Sequence, residues 1–323
     1  GETMAGHKSS RKGPKVGSGG VRRRRLEGRG PTPKAEDRPH HKAYRGTHDT
    51  VGKSGAKSGK RRPPRKSPKD TANRPTVIAG RNSVLEALQE GVEALSLTLA
   101  IRLDADERVR EIMRLAHQKG LQLHEATRAE LDRLTDDAIH QGVALTLPPY
   151  EYANPADLLE IAANDFDTPL LIALDGITDP RNLGAILRSA GAFGAHGVII
   201  PERRSVSMTA SVYKVAAGAA TRVKVAQVTN LNRAIDSLKK QGVFVVGLDA
   251  DGELEPRDMD LATSPIMLVI GAEGKGISRL TREKCDAIVS IPMAATTESL
   301  NASVAASIVL YEIAGTRART GRA

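Results

Sequence analysis

The chain is poor in cysteine and aromatic residues and has no tryptophan. A single cysteine, Cys285, stands among 323 residues. It cannot form an intrachain disulfide, and a multi-cysteine metal cluster is excluded. Aromatics make up 2% of the chain, so stacking of single-stranded bases on aromatic platforms is not its main mode of binding. No run of about 18 apolar residues occurs, and no membrane-spanning helix is expected. The basic N-terminus has no apolar core behind it and is not a secretory signal. Met4 reads as the natural start, with the three residues before it as a cloning remnant. A cytoplasmic setting fits best. His117, His124 and His140 lack metal-ligand spacing and read as surface or structural residues.

What the chain has in excess is positive charge, and in one place. Lys and Arg number 48 and Asp and Glu 38, a net +10. Residues 1–75 hold 22 of the 48 but only 6 of the 38, so the rest carries 26 basic against 32 acidic side chains. Any anion site in the remaining body must therefore be local. The first 75 residues are rich in Gly, Pro and Ser and have no apolar period. Such a segment cannot bury enough surface to offset its chain entropy and reads as a disordered basic arm. Each Lys or Arg near a phosphate releases a counterion, which makes the arm an RNA contact. A solubilising tail and a nuclear address are the alternatives.

Residues 76–148 read as a small α/β domain. Val77–Ala79 is a strand and Gly80 a turn, and Asn82 or Ser83 caps a helix with Val84, Leu85 and Leu88 inward. A strand over Leu95–Ile101, an amphipathic helix over Asp104–Lys119 and strands at Leu121–His124 and Val143–Leu147 follow. Residues 149–168 read as a linker with a short helical run, Ala156–Ala163. From residue 169 strands and helices alternate. The strand runs Leu170–Leu174, Gly197–Ile200, Val223–Val228, Val243–Leu248 and Ile266–Ile270 are apolar without alternation, as in a parallel sheet covered on both faces. Helices are expected over Asn182–Phe193, Val206–Ala220, Leu231–Gln241 and Leu300 to about Arg317. In the last, Leu300, Val304, Ile308 and Tyr311 recur at helical spacing. Its other faces carry Ala302, Ser303, Ala305, Ala306 and Ser307, small enough for another backbone to come close.

Three loops converge as candidates for one site. The first runs from Asp175 to Arg188 and follows a strand, at the edge where open α/β sheets bind ligands. Asn182 opens its helix, and Arg188 stands among Ile186, Leu187 and Ala190, where a charge has little structural use. A cap at Asn182 and a snorkelling Arg188 are the plain alternatives. The second is the loop with Gly271, Gly274 and Gly276 between a strand and a helix. Glycines there permit close backbone approach and positive φ, and Glu273 is a poor structural choice among small residues. The third is the polar loop from Pro292 to Ser299, with Glu298 and Ser299 as caps of the last helix and Asn301 beside them. The glycine spacing is not a Rossmann fingerprint, and no Gly-Lys-Ser/Thr phosphate loop occurs. No nucleophilic cysteine, catalytic histidine or carboxylate pair accompanies these loops, which argues against thiol, zinc and glycosidase chemistry. What remains is an enzyme that positions a reactive cofactor against its substrate.

In three segments the chain resembles the SpoU branch of the SPOUT RNA methyltransferases. These are NLGAILRSAGAFGAHGVII from Asn182, LVIGAEGKGIS from Leu268 and SIPMAATTESLNASVAASIVLYE from Ser290, in the family's order. VIAGRNSVLEAL from Val77 is similar to the start of the family's substrate-binding domain. The resemblance implies a trefoil-knotted α/β methyltransferase domain over residues 169–323, a homodimer, and S-adenosyl-L-methionine (AdoMet) as the donor to a ribose 2′-hydroxyl. Motif match implies catalytic or substrate-organising roles for Asn182, Arg188, Glu273, Ser299 and Asn301. It implies cofactor contacts at Gly271, Ile291 and Leu300, and no metal. A guanosine of 23S rRNA is the implied target. A transfer RNA guanosine, an rRNA adenosine and a non-catalytic ribosome assembly factor are the alternatives. A nicotinamide oxidoreductase is a weaker rival.

Overall fold

The structure is a computed structural model that describes residues 74–216, 218–294 and 299–321. The basic arm, except Arg74 and Pro75, lies outside the described residues, as does Glu298.

The small domain begins with β1 (Thr76–Ala79), α1 (Arg81–Gln89), β2 (Ser96–Ala100) and α2 (Glu107–Gln118). It continues with β3 (Gln122–Ala126), α3 (Arg128–Leu134) and β4 (Val143–Leu147). Its sheet has the order β1-β4-β2-β3, antiparallel except for the β2–β3 pair. Helix α1 starts one residue before the expected cap. Gly80 adopts φ 98°, and the Arg81 N–H donates to the Gln141 side chain at 3.1 Å. Asn82 does not cap the helix; its side-chain oxygen accepts from Arg108 at 2.8 Å. Helix α2 is shorter than the periodicity suggested because the Asp106 carboxylate caps it through Val109 N–H.

Residues 149–168 pack onto the second sheet. The Tyr150 hydroxyl accepts Val225 N–H and the Tyr152 hydroxyl accepts Met208 N–H, each at 2.9 Å. Helix α4 (Pro155–Asn164) buries Leu158 against Gly197, where any Cβ would meet that leucine at 2.5 Å.

The second sheet is built from β5 (Leu170–Asp175), β6 (Gly197–Pro201), β7 (Lys224–Val228), β8 (Phe244–Leu248), β9 (Ile266–Gly271) and β10 (Ala287–Val289). All its pairs are parallel, in the order β10-β8-β9-β5-β6-β7. Every residue of β9 is buried, because helices cover both faces. On one face lie α5 (Pro180–Ala192), α6 (Ala210–Ala216), α7 (Ala219–Arg222) and α10 (Ala302–Arg319). On the other lie α4 and α8 (Leu231–Lys240). A short α9 (Arg279–Glu283) follows β9. The chain lays down β5, β6 and β7 in one direction, then returns so that β9 enters between β8 and β5. The reversal opens a crevice at the carboxyl ends of β8 and β9.

Around this second sheet three helix boundaries differ from expectation. Asp179, not Asn182, caps α5, and Pro180 takes the first helical position, where its fixed φ is already suited. The stretch expected as one helix from Val206 is extended to Thr209 and then forms α6 and α7. Its amides bond outward, Val206 N–H to Ile177 O at 2.9 Å and Met208 N–H to Tyr152. Asn301, not Ser299, caps α10, its side-chain oxygen accepting from Ser303 N–H at 2.9 Å.

Helix α10 also buries a different face. Ala302, Ala306, Val309, Leu310, Ile313 and Arg317 point inward. Val304, Ile308 and Tyr311, the spaced apolar set, remain 47%, 37% and 63% exposed. The small side chains win the core because they let the helix axis approach the sheet and α5. Arg317 closes the far end. Its guanidinium donates to the carbonyls of Ala262, Thr168, Pro169 and Ser264 at 2.7–3.0 Å.

Candidate functional site

The crevice beyond β8 and β9 is a cavity of about 270 Å³, close to the lower end (about 300 Å³) of small-molecule pockets. Three backbone segments wall it. Leu248, Asp249 and Ala250 end β8; Ile270 to Gly276 end β9 and turn; Ile291, Met293, Ser299 and Leu300 lead into α10.

The β9 turn folds back on itself. Gly276 N–H donates to Ala272 O at 2.8 Å, and Gly274 and Gly276 adopt φ 75° and 65°. Gly271 is held so near that a Cβ there would lie 2.1 Å from the Gly276 carbonyl carbon. The Asp175 carboxylate, at the end of β5, accepts Ser278 N–H at 2.8 Å and pins the turn to the neighbouring strand. Glu273 faces the start of α10. Its Oε1 accepts the Asn301 side-chain amide at 2.8 Å, while Asn301 Oδ1 caps the helix. One asparagine thus joins the second and third loops.

Gly271, Glu273, Ile291, Ser299 and Leu300 line this cavity, with Asn301 bonded to Glu273. Asn182 and Arg188 do not line it. Asn182 is buried within α5. Arg188 is exposed on α5 and borders a second cavity of about 290 Å³ with Glu86, Glu90 and Arg222.

Asp249 is the cavity carboxylate that sequence reasoning missed. Its carboxylate accepts Arg282 Nη1 at 3.0 Å and Ala250 N–H at 2.8 Å, and only a glycine fits opposite, at Gly276. Arg282 also donates to Asp251 at 2.8 Å. Hydrogen bonding to Asp251, with the charge of both carboxylates, raises the Arg282 pKa. The available signal was position: Asp249 follows a buried parallel strand, at the edge where such sheets bind ligands. Cys285 lies nearby, and burial pushes its thiol up to about 11. That rules it out as a thiolate near neutral pH.

The arrangement offers apolar walls, backbone donors and acceptors, and two carboxylates, Asp249 and Glu273, with Lys275 beside them. It suits a partly apolar, cationic small molecule. Among the described residues no group of three or more His, Cys, Asp or Glu is placed to hold a metal ion. No helix among them is long and apolar enough to cross a membrane.

Comparison with known proteins agrees with this geometry. Residues 169–311 match the family described as "SpoU rRNA Methylase family". Residues 77–153 match "RNA 2'-O ribose methyltransferase substrate binding". A protein of Mycobacterium sp. (strain KMS) named "Uncharacterized tRNA/rRNA methyltransferase" is 52% identical over 308 residues, 95% of each chain. A protein of the same name from Mycolicibacterium vanbaalenii is 53% identical over 308 residues, covering 95% of this chain and 94% of its own. Among solved structures, the SpoU methyltransferase AviRb from Streptomyces viridochromogenes, in complex with AdoMet, superposes with a TM-score of 0.60 at 26% identity. That match covers 75% of this chain and 90% of AviRb. An rRNA methyltransferase from Sinorhizobium meliloti shares the fold, with a TM-score of 0.59 at 24% identity over 78% of this chain and 89% of its own.

Proposed function

We propose that this chain, which belongs to the SpoU methylase family and is an AdoMet-dependent RNA 2′-O-ribose methyltransferase, acts on a guanosine of 23S rRNA. The observation that carries this is the layout. A small substrate-binding domain precedes the sheet whose edge holds the cavity. Transfer RNA is the rival substrate, since the relatives' names include both.

The cavity fits the cofactor. Leu248, Ile270, Ile291, Met293 and Leu300 can enclose its apolar surfaces, and the turn backbone at Gly271 can bond its polar edges. Asp249 and Glu273 suit its positive charge. When bound, the cofactor supplies a methyl group on a cationic sulfur. The protein's own residues do the rest. Glu273 fixes Asn301, and the pair presents an amide and a carboxylate at the mouth of the cavity. Ser299 adds a hydroxyl. Arg188 acts as an electrostatic clamp. An arginine stays protonated near neutral pH, so it lowers the pKa of the ribose hydroxyl and binds a neighbouring phosphate rather than taking the proton.

Arg188 is separated from the cavity within one chain, and a homodimer resolves this. Val304, Ile308 and Tyr311 form an exposed apolar stripe on α10. Phe193, at the end of α5, packs edge-on to Tyr311 at 5.9 Å. A second copy covering this stripe would bring its own Arg188 toward the first copy's cavity. The same reading includes a trefoil knot, supported by the entry of β9 between β8 and β5.

The test uses methyl-labelled AdoMet with unmodified transcripts of 23S rRNA, 16S rRNA and a transfer RNA pool, followed by mapping of any methylated ribose. Label at one guanosine of the 23S transcript is expected. Label confined to transfer RNA overturns the substrate and keeps the chemistry. Cofactor binding without label on any RNA, including precursor ribosomal particles, favours a non-catalytic role.

A further inference from the structure

We propose that the substrate backbone runs along the flank made by α5 and the β6–α6 loop, held by Arg181, Arg203, Arg204 and Lys214, and is led to Arg188. The proposal rests on the reading above that the substrate is RNA.

Charge is the first argument. Outside the first 75 residues acidic side chains outnumber basic ones, so a polyanion needs a local site. Many cations of the body are tied to carboxylates, as Arg81 and Arg108 are to Asp106, Arg282 to Asp249 and Lys284 to Asp236. The five on this flank are exposed and form no ion pair among the described residues. They are all the lysines and arginines between residues 175 and 216.

Position is the second. Arg181, Gly184 and Arg188 follow helical spacing along one stripe of α5. Gly184 fixes the direction of that stripe, because a Cβ there would lie 2.6 Å from Val215 Cβ of α6. Arg181 and Arg188 are then about 10 Å apart along the axis. The β6–α6 loop is fastened beside the start of α5 by Val206 N–H and the Ser205 hydroxyl, both donating to Ile177 O. That sets the loop carrying Arg203 and Arg204 on the same side of the sheet edge as the segment leading into α5. Across the sheet edge the order is β8, β9, β5, β6. The cavity lies over the first two strands and the cations over the last two; in the homodimer read above, the Arg188 end of the track delivers the backbone to the partner's cavity.

Backbone conformation is the third. Arg204 adopts φ 53°, a left-handed conformation that glycine or asparagine takes more easily. The long cation is thus carried at an exposed position where a smaller residue would stand with less strain.

The test compares the full-length protein with R203Q/R204N and with R233Q/K240Q. The second pair lies on α8, on the opposite face of the sheet, and both of its residues are exposed. Binding to the unmodified 23S rRNA and transfer RNA transcripts is measured from about 50 to 200 mM salt. For R203Q/R204N we expect about tenfold weaker binding at the lower salt. The slope of log affinity against log salt should fall by about 1.4 to 1.8, for two lost phosphate contacts. AdoMet affinity should not change, and R233Q/K240Q should behave as wild type. An unchanged slope, or an equal loss in both double variants, overturns the track. If wild type binds neither transcript, the RNA reading fails first and the track with it.

Discussion

The side-chain amide of Asn301 donates to Glu273 at 2.8 Å while its oxygen caps α10. One residue therefore serves both the helix and the mouth of the cavity, and the two roles can be separated. Asn301→Ser retains a capping hydroxyl but cannot reach Glu273. It should unfold within about 1 kcal/mol of wild type yet lose at least a hundredfold in methyl transfer. A variant with near-normal turnover would show that Asn301 serves only the helix.

Arg188→Lys keeps the charge and removes the planar fork that binds phosphate in two places. Single-turnover methylation should fall at least tenfold with AdoMet affinity unchanged. Wild-type rates in the lysine variant would reject a guanidinium-specific role.

At Gly271 an added methyl would collide with the backbone of Gly276. Gly271→Ala should force the turn open and weaken AdoMet binding by at least tenfold in calorimetry, while the melting temperature shifts by only a few degrees. Unaltered affinity would mean that the turn is not part of the cofactor site.

Arg317 is buried and satisfies four backbone carbonyls. Arg317→Met removes the donor that the Ala262, Thr168 and Ser264 carbonyls share in the interior, while Pro169 O keeps Ile266 N–H. At about 1 kcal/mol or more for each unsatisfied group, urea unfolding should show a loss of at least 3 kcal/mol. Arg317→Lys should fall in between, since one ammonium cannot span all four.

Cys285 has a thiol pushed up to about 11 by burial. Its neutral form is favoured in the folded state, so this contribution to stability is complete below the unfolded thiol's pKa. It declines as pH rises from about 9 toward 11. Disulfide reagents should label the folded protein slowly at pH 8 and the unfolded protein quickly. Cys285→Ser should leave methyl transfer intact. Fast labelling in the folded state would contradict the burial.

The parallel sheet was readable because its strands are continuous apolar runs, as Ile266–Ile270 shows. The cavity was readable in part. Glycines after β9 and a proline-led polar loop before α10 mark places where a chain turns at a sheet edge, and Gly271, Glu273, Ile291, Ser299 and Leu300 meet there. Asp249 was not seen, because a short acidic turn after β8 looks like any other surface turn until Arg282 and Gly276 are placed against it. The buried face of α10 was misjudged for a related reason. Spacing ranks bulk, and Val304, Ile308 and Tyr311 outrank alanine, but close approach of two backbones favours Ala302 and Ala306. The distance between Arg188 and Glu273 depends on how α5 and α10 are set relative to β9, a property of packing that no local pattern carries.

Helix α10 is fastened at one end by Asn301 to the β9 turn and at the other by Arg317 to the strand entries. The cavity takes walls from residues 248–250 and 270–276 and from Ile291, Met293, Ser299, Leu300, Ala302 and Ala305, so it closes only when three segments far apart in the chain have met. A copy in which α10 has come away from the sheet keeps β5 to β9 yet lacks one wall of the cavity, so the site is lost while most of the fold remains.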